Sequence, residues 1–119
     1  MREKTLVIFL ATTPYGGENT DTALRLAEAA LTKGHRVVLF ASADGVHLAQ
    51  VGQRPSGVPD ALAGLQRLVE RGLQVELCGT CLRFRGLGRE LLVAGAAPSS
   101  LKNLFASVAN ADAFVSLTG

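Results

Sequence analysis

Short, continuous apolar runs that alternate with amphipathic segments are the feature of this sequence that most restricts its fold. Apolar, partly β-branched runs without polar alternation predict strands that are buried on both faces, and they cover residues 6–11, 37–40, 75–77 and 113–117. Strands of this kind are typical of parallel sheets that carry helices on both faces.

The segments between these runs have apolar residues at helical spacing. A first helix is predicted over residues 20–33, with Thr20 or Asp21 as its cap. A second extends from Asp60 to a stop at Gly72, and a third follows Pro98 with Ser99 or Ser100 as its cap. Alternating strands and helices predict right-handed crossovers, and therefore a three-layer α/β/α fold with a mostly parallel sheet.

Two further segments are less regular. Residues 91–96 fit either a further strand or the end of a short helix that begins near Arg83, and we favour the strand. Residues 51–59, rich in glycine and proline, are predicted to form an exposed loop. We find no repeat and no interior linker, so the 119 residues are predicted to form a single domain, 1–119.

Charge and hydropathy exclude several classes of protein. Twelve Lys and Arg residues against ten Asp and Glu give a net charge of +2, which favours neither direct nucleic-acid binding nor a polybasic membrane protein. No apolar run approaches the roughly 20 residues that cross a bilayer, and we interpret the first apolar run as a strand and not as a signal peptide. Two cysteines cannot form the multi-bridge framework of small secreted domains. We therefore expect a cytoplasmic protein in a reducing compartment.

The candidate chemistry lies at Cys78-Gly79-Thr80-Cys81, directly after a predicted strand. Ligands of open parallel sheets bind beyond the carboxyl ends of the strands. A thiol at the start of a helical turn, with arginines downstream, is biased towards the nucleophilic thiolate and could hold a persulfide anion. We therefore expect Cys78 to be ionised and accessible, with the nearby cations supplied by Arg83, Arg85 and Arg89.

The Cys-x-x-Cys spacing also fits other interpretations. A dithiol redox protein is the main alternative, although thioredoxin-like proteins carry this motif near the first βαβ unit, and here two strand-helix units precede it. Either thiol could instead be an inert core residue of a binding module. Structural zinc needs four ligands, and only His35 and His47 are available to complete a set, so no metal site is predicted.

The first loop invites a comparison with nucleotide sites, since Gly16 and Gly17 precede a helix. It matches neither common glycine-rich phosphate pattern, so no cofactor is predicted. Tyr15 in this loop and His47 after the second strand are retained, together with Arg83 and Arg85, as candidate substrate-binding residues that line the site.

In combination, Pro14-Tyr15-Gly16, Asp44-Gly45-Val46, Cys78-Gly79-Thr80-Cys81 and Arg85-Gly86 resemble the DsrE/TusD-like sulfur-relay family over nearly the whole chain. The resemblance implies a five-stranded parallel sheet of strand order 4-3-2-1-5 and assembly into trimers or hexamers. It also implies that an active cysteine accepts sulfane sulfur as a persulfide and passes it to a partner's cysteine, in tRNA thiolation or in sulfur oxidation.

The resemblance places the active cysteine at Cys78, which precedes Arg85-Gly86 at the spacing of TusD-like members. Cys81 departs from the TusD-like pattern, although Cys-Gly-Thr-Cys looks like other DsrE-like proteins. Whether Cys81 resolves the persulfide or simply packs stays open.

We therefore expect a sulfurtransferase-like sulfur carrier whose persulfide forms on Cys78, with Cys81 as a candidate resolving thiol. Its expected partners are sulfur donor and acceptor proteins. A mean hydropathy of +0.28 and Ala- and Leu-rich helical stripes further predict a homo-oligomer.

Overall fold

The computed structural model describes residues 2–119. The strands are β1 (Thr5–Leu10), β2 (Arg36–Ala41), β3 (Gln74–Cys78), β4 (Ala96–Ser99) and β5 (Ala113–Leu117). The α-helices are α1 (Asn19–Thr32), α2 (Ala61–Glu70), α3 (Gly79–Phe84) and α4 (Leu101–Ala109). Short 3-10 helices occupy Ala43–Ala49 and Arg89–Leu91.

The strands form one five-stranded sheet in the order β4-β3-β2-β1-β5, and each neighbouring pair is parallel. Helices pack on both faces of this sheet. The predicted three-layer α/β/α class is therefore confirmed, as is the strand order that the resemblance implied. Parallel pairing also brings the carboxyl ends of all five strands to one edge, where ligand sites of such sheets are found.

The larger core lies between the sheet and helices α1 and α2. It contains the fully buried side chains of Ile8, Leu39, Leu65 and Leu77. Burying a side chain of this size contributes roughly 1.5–3 kcal/mol. This face therefore contributes much of the apolar burial that stabilises the fold.

A smaller core lies on the opposite face of the sheet, under α4. Val38 and Phe40 of β2 pack there with Leu104 of α4, and the Phe9 and Phe40 rings stack with centroids 6.2 Å apart. Cys78 belongs to this second cluster. The side chain of Cys78 therefore projects towards the α4 side of the sheet.

Of the predicted helix caps, that of α4 is confirmed, and Asp60, predicted as the start of the second helix, is also a cap. Asp60 accepts a hydrogen bond from the Ala63 N–H at the start of α2, and Ser100 caps α4 in the same way. The expected cap of α1 by Thr20 or Asp21 is wrong, because α1 begins at Asn19, before both residues. The Thr20 hydroxyl is instead buried with no hydrogen-bond partner among the described residues.

The expected strand over residues 91–96 is also wrong. Its apolar residues pair with the segment after β2: the Val51 N–H donates to the Leu91 carbonyl, and the Val93 N–H donates to the Ala49 carbonyl, both at 2.8 Å. Gly95 then takes a left-handed φ of 93°, so the strand that pairs with β3 begins only at Ala96.

The expected loop over residues 51–59 contains neither helix nor strand and is largely exposed, as predicted. Among residues 2–119, no helix is both long enough and apolar enough to cross a membrane.

Candidate functional site

The two cysteines lie at the carboxyl end of β3. Cys78 is the last residue of this strand, and Cys81 lies one turn into α3. Both are free thiols, and Cys81 packs against the small core cluster that contains Cys78. The structure thus brings together the two thiols that the sequence singled out.

The two thiols differ in their exposure. Only 7% of the Cys78 surface is exposed to solvent, whereas Cys81 is half-buried. The expectation that Cys78 is the accessible thiol of the pair is therefore wrong. Its side chain points from β3 into the small core under α4, so solvent contact falls mainly to Cys81.

The segment after β2 supplies the polar contacts to Cys81. The Ala43 N–H donates to Cys81 Sγ at 3.2 Å, and the Ser42 hydroxyl lies 3.6 Å from the same sulfur. Ala43 has a φ of 49°, a left-handed conformation that residues other than glycine rarely adopt. The backbone is therefore strained at Ala43, the residue whose N–H points at the sulfur.

These contacts favour ionisation of Cys81. Burial raises the pKa of its thiol, but hydrogen bonds from Ser42 and Ala43, the neighbouring Cys78 thiol and the positive charge of Arg85 together outweigh burial and lower the pKa below its ordinary value of 9.0. The ionising environment that the sequence led us to expect at Cys78 is thus built around Cys81.

Arg85 is held in place at this site. Its Nε and Nη2 donate to Asp44 Oδ1 at 3.0 and 2.9 Å, and its Nη1 donates to the Cys81 carbonyl oxygen at 3.1 Å. Three-quarters of its side chain is buried. A guanidinium fixed in this way keeps a constant positive charge beside α3.

The other two predicted cations have different surroundings. Arg83 is exposed and donates to the Thr80 hydroxyl at 3.2 Å, within the Cys-x-x-Cys segment. Arg89 lies beyond α3, at the start of the second 3-10 helix. Arg85 is the arginine whose charge acts on the Cys81 thiol.

Tyr15 and His47 make contacts with the loop after the first 3-10 helix. The Tyr15 hydroxyl donates to Gln53 Oε1 at 2.6 Å and accepts the Ala61 N–H at 3.1 Å, so it ties this loop to the start of α2. His47 Nδ1 lies 3.0 Å from Gln50 Oε1. These contacts account for both side chains, and their predicted part in lining the thiol site stays a prediction.

The other histidine, His35, lies outside the thiol site. His35 precedes β2 and accepts a hydrogen bond from the Lys4 N–H through Nδ1 at 3.1 Å. Among residues 2–119, no group of three or more His, Cys, Asp or Glu side chains is arranged to hold a metal ion.

A glycine allows the segment after β2 to reach Cys81. A Cβ atom on Gly45 would lie 2.3 Å from the Leu10 carbonyl oxygen, so only glycine lets the first 3-10 helix pack against the end of β1. This explains the middle residue of the Asp44-Gly45-Val46 motif. The glycine helps to fix the turn that carries Ser42 and Ala43.

Sequence reasoning missed Ser42 and Ala43 as site residues. A signal for Ser42 was available, since it directly follows β2 and neighbouring parallel strands end at the same edge. The left-handed conformation of Ala43 had no sequence signal, because alanine shows no preference for it.

Sequence reasoning also missed a polar chain on the same face of the sheet as Cys78. The Ser99 hydroxyl donates to Glu76 Oε1 at 2.7 Å and accepts a hydrogen bond from Asn103 Nδ2 at 3.2 Å. Cys78 and Ser99 are partners in the β3–β4 register. The chain therefore joins β3, β4 and α4 next to the thiol site.

Comparison with known proteins identifies the family of this fold and site. The model of the DsrE/DsrF-like family matches residues 4–117. The chain belongs to the DsrE/DsrF-like family. This family is generally associated with sulfur relay, and the earlier resemblance to it is confirmed.

Two relatives are similar over most of their length. The chain is 36% identical to the uncharacterized protein MK0008 of Methanopyrus kandleri over 107 residues, which cover 90% of this chain and 88% of that protein. It is 38% identical to the uncharacterized protein MJ0989 of Methanocaldococcus jannaschii over 105 residues, or 88% and 92% of the two chains.

Solved structures share the fold of this DsrE/DsrF-like chain. The ychN protein from E. coli is 28% identical, with a TM-score of 0.91 over 96% of this chain and 99% of the other. MTH1491 from Methanobacterium thermoautotrophicum has a TM-score of 0.74 at 17% identity, covering 96% and 99%. The second likeness shows the fold alone.

Proposed function

We propose that this protein is a sulfur carrier that accepts sulfane sulfur as a persulfide on Cys78 and passes it to a cysteine of a partner protein. The observation that carries the proposal is the pair of free thiols that lie in one cluster at the carboxyl end of β3. Membership of a family associated with sulfur relay supports it.

The chemistry needs nothing beyond thiols. A thiolate attacks the outer sulfur of a donor persulfide, the donor S–S bond breaks, and the donor leaves as a thiolate. The sulfane sulfur keeps its oxidation state, so neither an oxidant nor a reductant is consumed. A persulfide on the nearly buried Cys78 would be shielded from unrelated thiols in solution, as a carrier requires.

A dithiol redox protein is the second candidate, and one observation favours it. Both thiols are free, and Cys81 packs against the cluster that contains Cys78, so the two side chains lie in one region, as formation of a disulfide would require. Such a protein would cycle between a dithiol and a disulfide and would reduce insulin disulfides, whereas a sulfur carrier would not.

We also propose that the protein acts as a homo-oligomer. Apolar side chains of α4 and β5 are unusually exposed: Phe105 by 68%, Leu101 by 51% and Phe114 by 46%. Exposed aromatic groups of this kind are typical of protein interfaces. We propose that a trimer or hexamer buries this surface. We also propose that the protein works in a reducing cytosol, where both thiols stay free.

Mass spectrometry tests the persulfide. The protein is incubated with glutathione persulfide, desalted, blocked with iodoacetamide and digested, and the peptides with Cys78 and Cys81 are compared. We expect the extra sulfur on Cys78, and we expect little stable uptake in Cys78→Ser. Stable uptake by Cys78→Ser at the wild-type level would refute the assignment, and reduction of insulin by the wild type would favour the redox candidate.

A further inference from the structure

We propose that Cys81 is the thiol through which sulfane sulfur enters and leaves the protein, while Cys78 stores it. This inference rests on the proposed function and deepens it, since it assigns different tasks to the two thiols. It follows from the difference in exposure and polar contacts between two thiols that lie in one cluster at the end of β3.

Access favours Cys81 as the point of entry. Cys78 packs in one cluster with Val38, Phe40 and Leu104, and only 7% of its surface is exposed. A donor persulfide on another protein therefore cannot readily approach it. Cys81 is half-buried and lies in α3, nearer to solvent. A bulky donor therefore meets Cys81 first.

The polar contacts of Cys81 suit a sulfur that holds negative charge. The Ala43 N–H and the Ser42 hydroxyl both contact this sulfur. The fixed Arg85 guanidinium donates a hydrogen bond to the backbone carbonyl of the same residue, Cys81. Hydrogen bonds to an anion are stronger than those to a neutral thiol. They stabilise Cys81 as the attacking thiolate, and again as the leaving thiolate when sulfur moves onward.

The transfer balances in two steps. In the first, the Cys81 thiolate attacks the outer sulfur of the donor persulfide, a new S–S bond forms on Cys81, and the donor leaves as a thiolate. In the second, Cys78 attacks that outer sulfur, and the bond to Cys81 breaks. Cys81 leaves as a thiolate, which then takes up the proton that the Cys78 thiol gives up. Delivery to an acceptor cysteine is the reverse sequence.

A single-turnover experiment separates the tasks. Wild type, Cys81→Ser and Cys78→Ser are mixed with glutathione persulfide at pH 7, quenched with acid at successive times and mapped by mass spectrometry. In Cys81→Ser we expect sulfur to reach Cys78 at least ~10-fold more slowly than in the wild type, because the accessible thiolate is missing. In Cys78→Ser we expect rapid uptake on Cys81 that an added thiol soon removes.

The outcomes distinguish this inference from the proposed function. Loading of Cys78 at the wild-type rate in Cys81→Ser would overturn the entry role of Cys81 and leave the carrier function intact. No uptake of sulfur by any of the three proteins would overturn both. Sulfide release with a Cys78–Cys81 disulfide would mean attack at the inner sulfur, and would overturn storage on Cys78.

A second variant tests the role of the polar contacts without removing a thiol. Ser42→Ala deletes one hydrogen bond to Cys81 and should slow the first step, while Ser56→Ala, in the exposed loop, is the matched control. We expect the loading rate of Ser42→Ala to recover as the pH is raised, because more Cys81 then ionises. Unchanged loading of Ser42→Ala at pH 7 would contradict the inference.

Discussion

The backbone N–H of Ala43 donates a hydrogen bond to Cys81 Sγ at 3.2 Å, although the two residues lie 38 positions apart in the chain. The turn after β2 thereby meets the helix after β3. The contact gives the second thiol of the Cys-x-x-Cys segment a partner that an isolated loop could not provide. The reactivity of this thiol should therefore depend on residues outside the motif.

The pH dependence of alkylation should show this coupling. Because hydrogen bonds from Ser42 and Ala43 lower the pKa of Cys81, its reaction with iodoacetamide should reach half its maximal rate below pH 9.0. Ser42→Ala should move this midpoint upwards. Peptide-resolved mass spectrometry after timed labelling gives the midpoint, and a midpoint unaffected by Ser42→Ala would show that the hydroxyl does not act on the thiol.

The charge of Arg85 should have a similar effect. Its guanidinium lowers the pKa of the Cys81 thiol, so Arg85→Gln should raise the alkylation midpoint. Arg83→Gln is the matched control, since Arg83 is exposed and bonded to Thr80. Equal shifts in the two variants would indicate a general effect of positive charge, and not the fixed position of Arg85.

The stability of the fold should depend on the ionisation of Cys81. Its pKa is lower in the folded protein than in the unfolded chain, so the stabilisation is fully present above about pH 9 and is lost as the pH falls through the folded pKa. The free energy of unfolding of the wild type, relative to Cys81→Ser, should therefore rise with pH across that window. Urea denaturation at several pH values measures it, and a flat difference would count against a lowered pKa.

Gly45 should not tolerate a side chain. A Cβ atom would lie 2.3 Å from the Leu10 carbonyl oxygen, and backbone cannot move aside as a flexible side chain can. We expect Gly45→Ala to lower the free energy of unfolding by about 2–3 kcal/mol, as overpacking does. Gly17→Ala is the control, because its Cβ would meet nothing within 4 Å. Equal stability of the two variants in urea would contradict this account of the motif.

The exposed apolar surface should hold subunits together. Phe105→Glu places a charge on the most exposed apolar side chain of α4 and should shift the protein to smaller species in sedimentation velocity experiments. Val58→Glu, on the exposed loop, is the control and should leave assembly unchanged. If the wild type is a monomer at micromolar concentration, or if Phe105→Glu assembles normally, this surface is not the interface.

Much of the fold could be predicted because its signals are local. Residues 37–40 and 113–117 are continuous apolar runs, and each became a strand of the parallel sheet. The strand over residues 91–96 was predicted wrongly because apolar character alone does not determine which segment a chain pairs with. Leu91 and Val93 instead form backbone hydrogen bonds with Val51 and Ala49, which lie about 40 residues earlier in the chain. Their pairing therefore depends on a distant segment.

The candidate site was predictable only in its position. By itself the sequence determined the alternating strands and helices, and it placed Cys78 and Cys81 at the carboxyl end of a strand, since hydrophobic periodicity and motif spacing are properties of neighbouring residues. The tertiary structure decided that Cys78 turns into the small core and that Ser42, Ala43 and Arg85 act on Cys81. Burial and hydrogen bonding of a thiol depend on which strands pair, and pairing is settled only when the whole sheet assembles.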